Sequence, residues 1–73
     1  MTSLSPDEYD ILERAISDGR RIAVTRRGAS ELVVVPRGLR IVGAREVLDV
    51  THPTTGDRLS LFVDELEALE VVR

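Results

Sequence analysis

Few residues in this 73-residue chain have side chains suited to catalysis, and they are scattered. His52 is the single histidine and lies in the stretch Thr51-His52-Pro53-Thr54-Thr55-Gly56. A general base needs an imidazole oriented by a positioned partner. Asp49 and Asp57 are near it only in sequence, so His52 reads as a solvated loop residue. No serine or threonine stands in a nucleophile elbow or beside a second histidine. The acidic pairs Asp7/Asp10 and Asp64/Glu65 lack the loop spacing of a calcium site. Cysteine is absent, which removes thiolate metal sites and disulfides alike. Arg27-Gly28 and Arg37-Gly38 hold isolated glycines, better suited to turns than to cradling phosphate. The expectation is a protein with no catalytic residue, no metal and no cofactor, which works by binding.

Charge patterning supplies two candidate binding surfaces. Residues 1–18 carry Asp7, Glu8, Asp10, Glu13 and Asp18 against Arg14 alone. Residues 19–58 carry Arg20, Arg21, Arg26, Arg27, Arg37, Arg40, Arg45 and Arg58 against four acids, and residues 59–73 are acidic again. Separated zones of opposite sign suit an electrostatically steered interface. The first candidate is the acidic segment, with Asp7, Glu8, Asp10 and Glu13 contacting a basic partner. The alternative is a nucleic-acid or nucleotide surface built from Arg20, Arg21, Arg26, Arg27, Arg37 and Arg40. Against that alternative, Tyr9 and Phe62 are the only aromatic residues, and stacking on aromatic side chains supplies about 1–3 kcal/mol per base.

The acidic segment is also the clearest structural element. Ser5-Pro6-Asp7-Glu8 fits a capping box, with Ser5 as N-cap, Pro6 at the first helical position and Glu8 reaching back. Leu4 and Tyr9 stand where a hydrophobic staple needs them. The helix is predicted from about residue 6 to 18, ending at Gly19. Tyr9, Leu12 and Ile16 share one line, widened by Ile11 and Ala15, while Asp7, Asp10, Glu13 and Arg14 face water.

After Gly19 the pattern becomes strand-like. Residues 21–26 alternate, residues 27–30 read as a turn, and residues 31–35 are apolar on both faces, as a central strand would be. Pro36 is expected to end that ladder, with Arg37-Gly38 bending the chain. Residues 39–42 fit either a short strand or a 3₁₀ turn. Residues 46–51 and 58–63 alternate around a loop at 52–57. Asp64-Glu65-Leu66 suits one helical turn before a last strand at 69–72. The fold class is therefore α+β, mainly β: an N-terminal helix followed by a small five-stranded antiparallel barrel of SH3-like or Sm-like kind, with the helix across one open end.

The length suits a single domain, residues 1–73, with one thin core. Residues 1–4 and Arg73 are the expected frayed ends. The first six residues have neither a basic start nor an apolar run, and no stretch approaches a membrane span. A cytoplasmic location is the expectation. The oligomeric state is left open.

These features resemble a known family. Asp7-Glu8-Tyr9-Asp10 with Leu12-Glu13 and Ala15, the turn at Gly28, the strand Glu46-Val47-Leu48, and Gly56 followed by Leu59 to Leu66 are similar to the small Rho-binding antiterminator (Rof-like) proteins. The likeness spans nearly the whole chain. Val47 stands where that family has an aromatic residue, and Glu65 where it has a basic one. The resemblance implies an Sm-like fold. It also implies binding of transcription termination factor Rho through Asp7, Glu8, Asp10 and Glu13, obstructing Rho's RNA site. A second set of residues, Val35-Pro36-Arg37-Gly38-Leu39, Glu46-Val47-Leu48 and Leu61-Phe62-Val63-Asp64, resembles WYL-type domains. Those are Sm-like modules that sense nucleotides or nucleic acid, though here the Trp-Tyr pair is replaced by Glu46 and Val47.

Overall fold

The computed structural model describes residues 4–72. Helix α1 spans Pro6–Asp18 and is followed by β1 (Ile22–Arg26), β2 (Glu31–Val42), β3 (Arg45–Thr51), β4 (Arg58–Phe62), a 3₁₀ turn (Val63–Glu65) and β5 (Leu66–Val71). The strands form one antiparallel sheet in the order β4-β3-β2-β1-β5. This is the expected α+β, mainly β class: one helix and a small barrel-like sheet.

The helix forms for the reasons its sequence contains. Ser5 accepts a hydrogen bond from the Glu8 amide, and the Glu8 carboxylate accepts one from the Ser5 amide. Two donors that the helix itself leaves unsatisfied are thus answered reciprocally. Gly19 closes the other end in a left-handed conformation, φ 68°, which a Cβ would strain. Leu12 and Ala15 are buried, with Tyr9, Ile11 and Ile16 packed against the same core. Leu4, expected to fray, is 5% exposed and belongs to that core. The other expected frayed residues, 1–3 and Arg73, lie outside the described residues.

The main correction concerns β2. Pro36 does not end its ladder: the strand runs on for twelve residues, through Pro36 to Val42. Pro36 stands opposite Val50, Gly38 opposite Asp49, and the register shifts between them. Arg37 is the extra residue of a β-bulge, which accommodates proline and bends the strand. Residues 39–42, open between strand and 3₁₀ turn in the sequence, are therefore strand. The N-terminal half of β2 pairs with β1, and the C-terminal half with β3. At its end Gly43-Ala44 makes a tight hairpin loop, with Gly43 at φ 62° as the first central residue of a II′-type turn requires.

The core lies inside this bend. Ile22, Val24, Val34, Leu48, Val50, Leu61, Val63 and Leu66 contribute from the strands and the 3₁₀ turn, and α1 packs against β2 and β5 to cover it. Among the described residues no helix is long and apolar enough to cross a membrane.

Leu48 is fully buried at the centre of this cluster, whereas Ile41 near the hairpin tip is 68% exposed. Leu48→Ala should lower stability by about 2–5 kcal/mol, from lost transfer energy and the cavity left behind. Ile41→Ala should stay within about 0.5 kcal/mol. Urea denaturation of both variants, at an unchanged m-value, checks the contrast.

Candidate functional site

The four acidic residues singled out in the sequence divide into two roles. Asp7, Asp10 and Glu13 are exposed on α1 and make no hydrogen bond or ion pair within the described residues. Glu8 is partly buried, and both its oxygens are engaged. Oε1 accepts from the Ser5 amide at 3.0 Å and Oε2 accepts from the Leu69 amide of β5 at 3.1 Å. Glu8 therefore bolts the helix to the sheet. Its carboxyl is held below the usual range, chiefly by the Ser5 amide, against an opposing effect of burial and with further help from Leu69. A second tie fixes the same end of the helix: the Tyr9 hydroxyl donates to Glu46 Oε1 on β3 at 2.6 Å.

The arginines are distributed by the strands. Arg20 and Arg21 precede β1, and Arg26 and Arg27 stand at its far end. A five-residue strand at ~3.3 Å per residue keeps these pairs roughly 16 Å apart. Arg20 lies 3.9 Å from Asp18, a loose and exposed pair. Arg37 and Arg40 come together with Arg58 in a groove over β2, β3 and β4. Residue order alone places Arg58 only in the general basic zone. The signal that joins it to the others is register, since Arg58 stands opposite Thr51 across the β3–β4 hairpin.

Two arginines are already occupied. Arg40 Nε donates to Asp49 at 2.8 Å, and Ser60 donates to the other Asp49 oxygen at 2.9 Å. That places Arg40, Asp49 and Ser60 across three neighbouring strands, and the Arg40 and Ser60 contacts lower the Asp49 carboxyl below its ordinary value. Arg45 grips Asp64 with two bonds of 2.9 and 2.7 Å, touches Glu65 at 3.4 Å, and lies 3.5 Å over the centre of the Phe62 ring. The Arg45 bond likewise holds Asp64 low. These contacts brace the β2–β3 hairpin against the 3₁₀ turn.

His52 has a structural task. Its Nδ1 accepts from the amides of Thr54 and Thr55 at 3.1 and 3.2 Å, organising the β3–β4 loop. Among the described residues no group of three or more His, Cys, Asp or Glu is placed to hold a metal ion.

Glu8, Asp49 and Asp64 each bind a proton more weakly in the folded chain than in the unfolded one. Their stabilisation is complete above the unfolded values, 4.5 for Glu8 and 3.8 for the two aspartates, and is lost as pH falls through the lower folded values. The urea midpoint should therefore drop once pH passes below about 4.5. Glu8→Gln, which keeps one acceptor and turns a donor toward the second amide, should start from a lower midpoint at pH 7 and show a shallower acid decline. An identical acid slope in the variant would show that Glu8 is not a source of this dependence.

No protein-family model matches the chain, and neither a curated protein nor a solved structure matches it significantly.

Proposed function

We propose that this domain is a non-enzymatic regulatory binding module whose acidic helix face docks on a basic, RNA-binding surface of a protein partner. Transcription termination factor Rho is the partner that the resemblance nominates. The observation that carries the proposal is the exposure of Asp7, Asp10 and Glu13, without hydrogen-bond or ion-pair partners among the described residues, on a helix anchored at the same end. Residues three apart lie on neighbouring lines of a helix, so these carboxylates span about 9 Å of axis on one side. Because Glu8 and Tyr9 hold that segment rigid, little conformational freedom is lost when it docks. Three carboxylates against Arg14 leave this face net negative, and net charge of one sign raises the encounter rate with a surface of the other.

Glu8 enters this reading as the anchor that presents the other three, which alters its role from the direct contact implied by the resemblance. The blocking effect needs no chemistry, since occupancy of a basic RNA track by fixed carboxylates excludes phosphates from it.

The triple variant Asp7→Asn, Asp10→Asn, Glu13→Gln removes the charge while leaving the cap and both anchors in place. It should keep the wild-type circular dichroism spectrum and lose capture by immobilised Rho. Wild-type capture should weaken steeply between about 50 and 200 mM salt, as screening of exposed charges requires. Equal capture of variant and wild type at matched salt would sink the proposal.

A further inference from the structure

The groove over β2, β3 and β4 is a site of opposite sign to the helix face and independent of it. It encloses about 790 Å³ and is lined by Arg37, Arg40 and Arg58 together with Asp49, Thr51 and Ser60. The bulge in β2 creates it. Pro36 and Leu39 are three residues apart, yet both turn toward the core, Pro36 fully buried and Leu39 packed against it. Strict alternation forbids that. The extra residue permits it, and the same shift places Arg37 and Arg40 together on the outer face.

The charge balance within the groove is uneven. Asp49, the acid among its lining residues, is answered by Arg40 and Ser60. Arg37 and Arg58 have no ion pair within 4 Å among the described residues. Their strands flank β3 on its two sides, so the backbones lie about two strand spacings, ~10 Å, apart. Two long guanidinium arms can close on one anion across that gap, and planar forks of this kind match phosphate oxygens.

A smaller niche of about 170 Å³ adjoins the groove and shares Arg40 and Ser60 with it; Val42, Val47, Leu61 and Phe62 complete its lining. The combined space falls in the range of small-molecule sites, which pair apolar walls with a few placed polar groups. A polymer strand fits less well. Phe62, the aromatic residue on this face, carries the Arg45 guanidinium over one side of its ring, and a single ring with one side open is no platform on which successive bases can stack.

We infer that this groove binds a small phosphorylated molecule, its phosphate held between Arg37 and Arg58 and its apolar part seated against Val42, Val47 and Phe62. Inorganic phosphate and phenyl phosphate are the probes, followed by amide chemical shifts of the whole chain in ¹H–¹⁵N spectra. Both should shift Thr51, Gly56 and Ser60. Phenyl phosphate should in addition shift Val47 and Phe62 and bind at least about fivefold more tightly, as burial of apolar surface adds to the anion contact.

The pair Arg37→Gln, Arg58→Gln should weaken phenyl phosphate at least about tenfold, the loss of two charge-assisted contacts, with the remaining spectrum in place. The pair Arg26→Gln, Arg27→Gln should leave binding unchanged. Any of three results overturns the inference: no saturable shift with either probe, equal loss from both arginine pairs, or undiminished binding without Arg37 and Arg58. A short oligothymidylate that binds where phenyl phosphate does not, with shifts reaching Arg20, Arg21, Arg26 and Arg27, would replace it with a strand-binding surface. None of these measurements involves a protein partner, so they stand or fall apart from the helix proposal.

Discussion

The bend in β2 is the constraint on which the rest of this domain depends. One strand of twelve residues serves two halves of the sheet, pairing with β1 as far as Val34 and with β3 from Val35 onward. A flat five-stranded sheet of this size would expose one apolar face, and this chain has a single helix with which to cover it. Bending lets the sheet cover itself, so that Val24 and Val34 from one half share a core with Leu48, Val50 and Leu61 from the other. The bulge at Arg37 is what makes the bend compatible with the side-chain pattern. It resets the alternation so that Leu39 follows Pro36 into the interior.

Around that bend the polar groups sort into those that hold the fold and those left free. Glu8 spends both oxygens on backbone amides, one in its own cap and one on β5. Tyr9 and Glu46 tie the helix to β3. Arg40 and Arg45 are engaged by Asp49 and by Asp64 with Glu65. Such exposed pairs contribute little stability each, but they settle which charges remain for a partner. What is left, among the described residues, includes a set of carboxylates on α1 and two guanidinium groups in the groove. The domain thus presents opposite signs on two separate surfaces, each backed by rigid structure.

Much of this is legible in the residue order, because the signals are local. Ser5, Pro6 and Glu8 are read within three positions of one another and Gly19 marks the stop on its own, and together they give the helix its bounds of Pro6–Asp18. The alternation of residues 46–51 and 58–63 and the loop between them likewise depend on neighbours only. Pro36 misleads for the same reason. Proline removes a ladder donor wherever it stands, and nothing nearby in sequence tells whether a bulge will absorb the loss.

The chain by itself determined the helix, the approximate places of most strands, the mainly β class and the acidic face of α1, since period and capping are properties of short stretches. It did not determine that β2 runs unbroken to Val42 or that β5 begins at Leu66. Only the tertiary structure decided which charges are available. The second Glu8 oxygen meets an amide 61 positions away, and Arg40 meets Asp49 across a hairpin. Arg37 and Arg58 share a groove only because β3 lies between their strands. Contacts of that range follow from strand register and from the bulge, which no local pattern of side chains encodes.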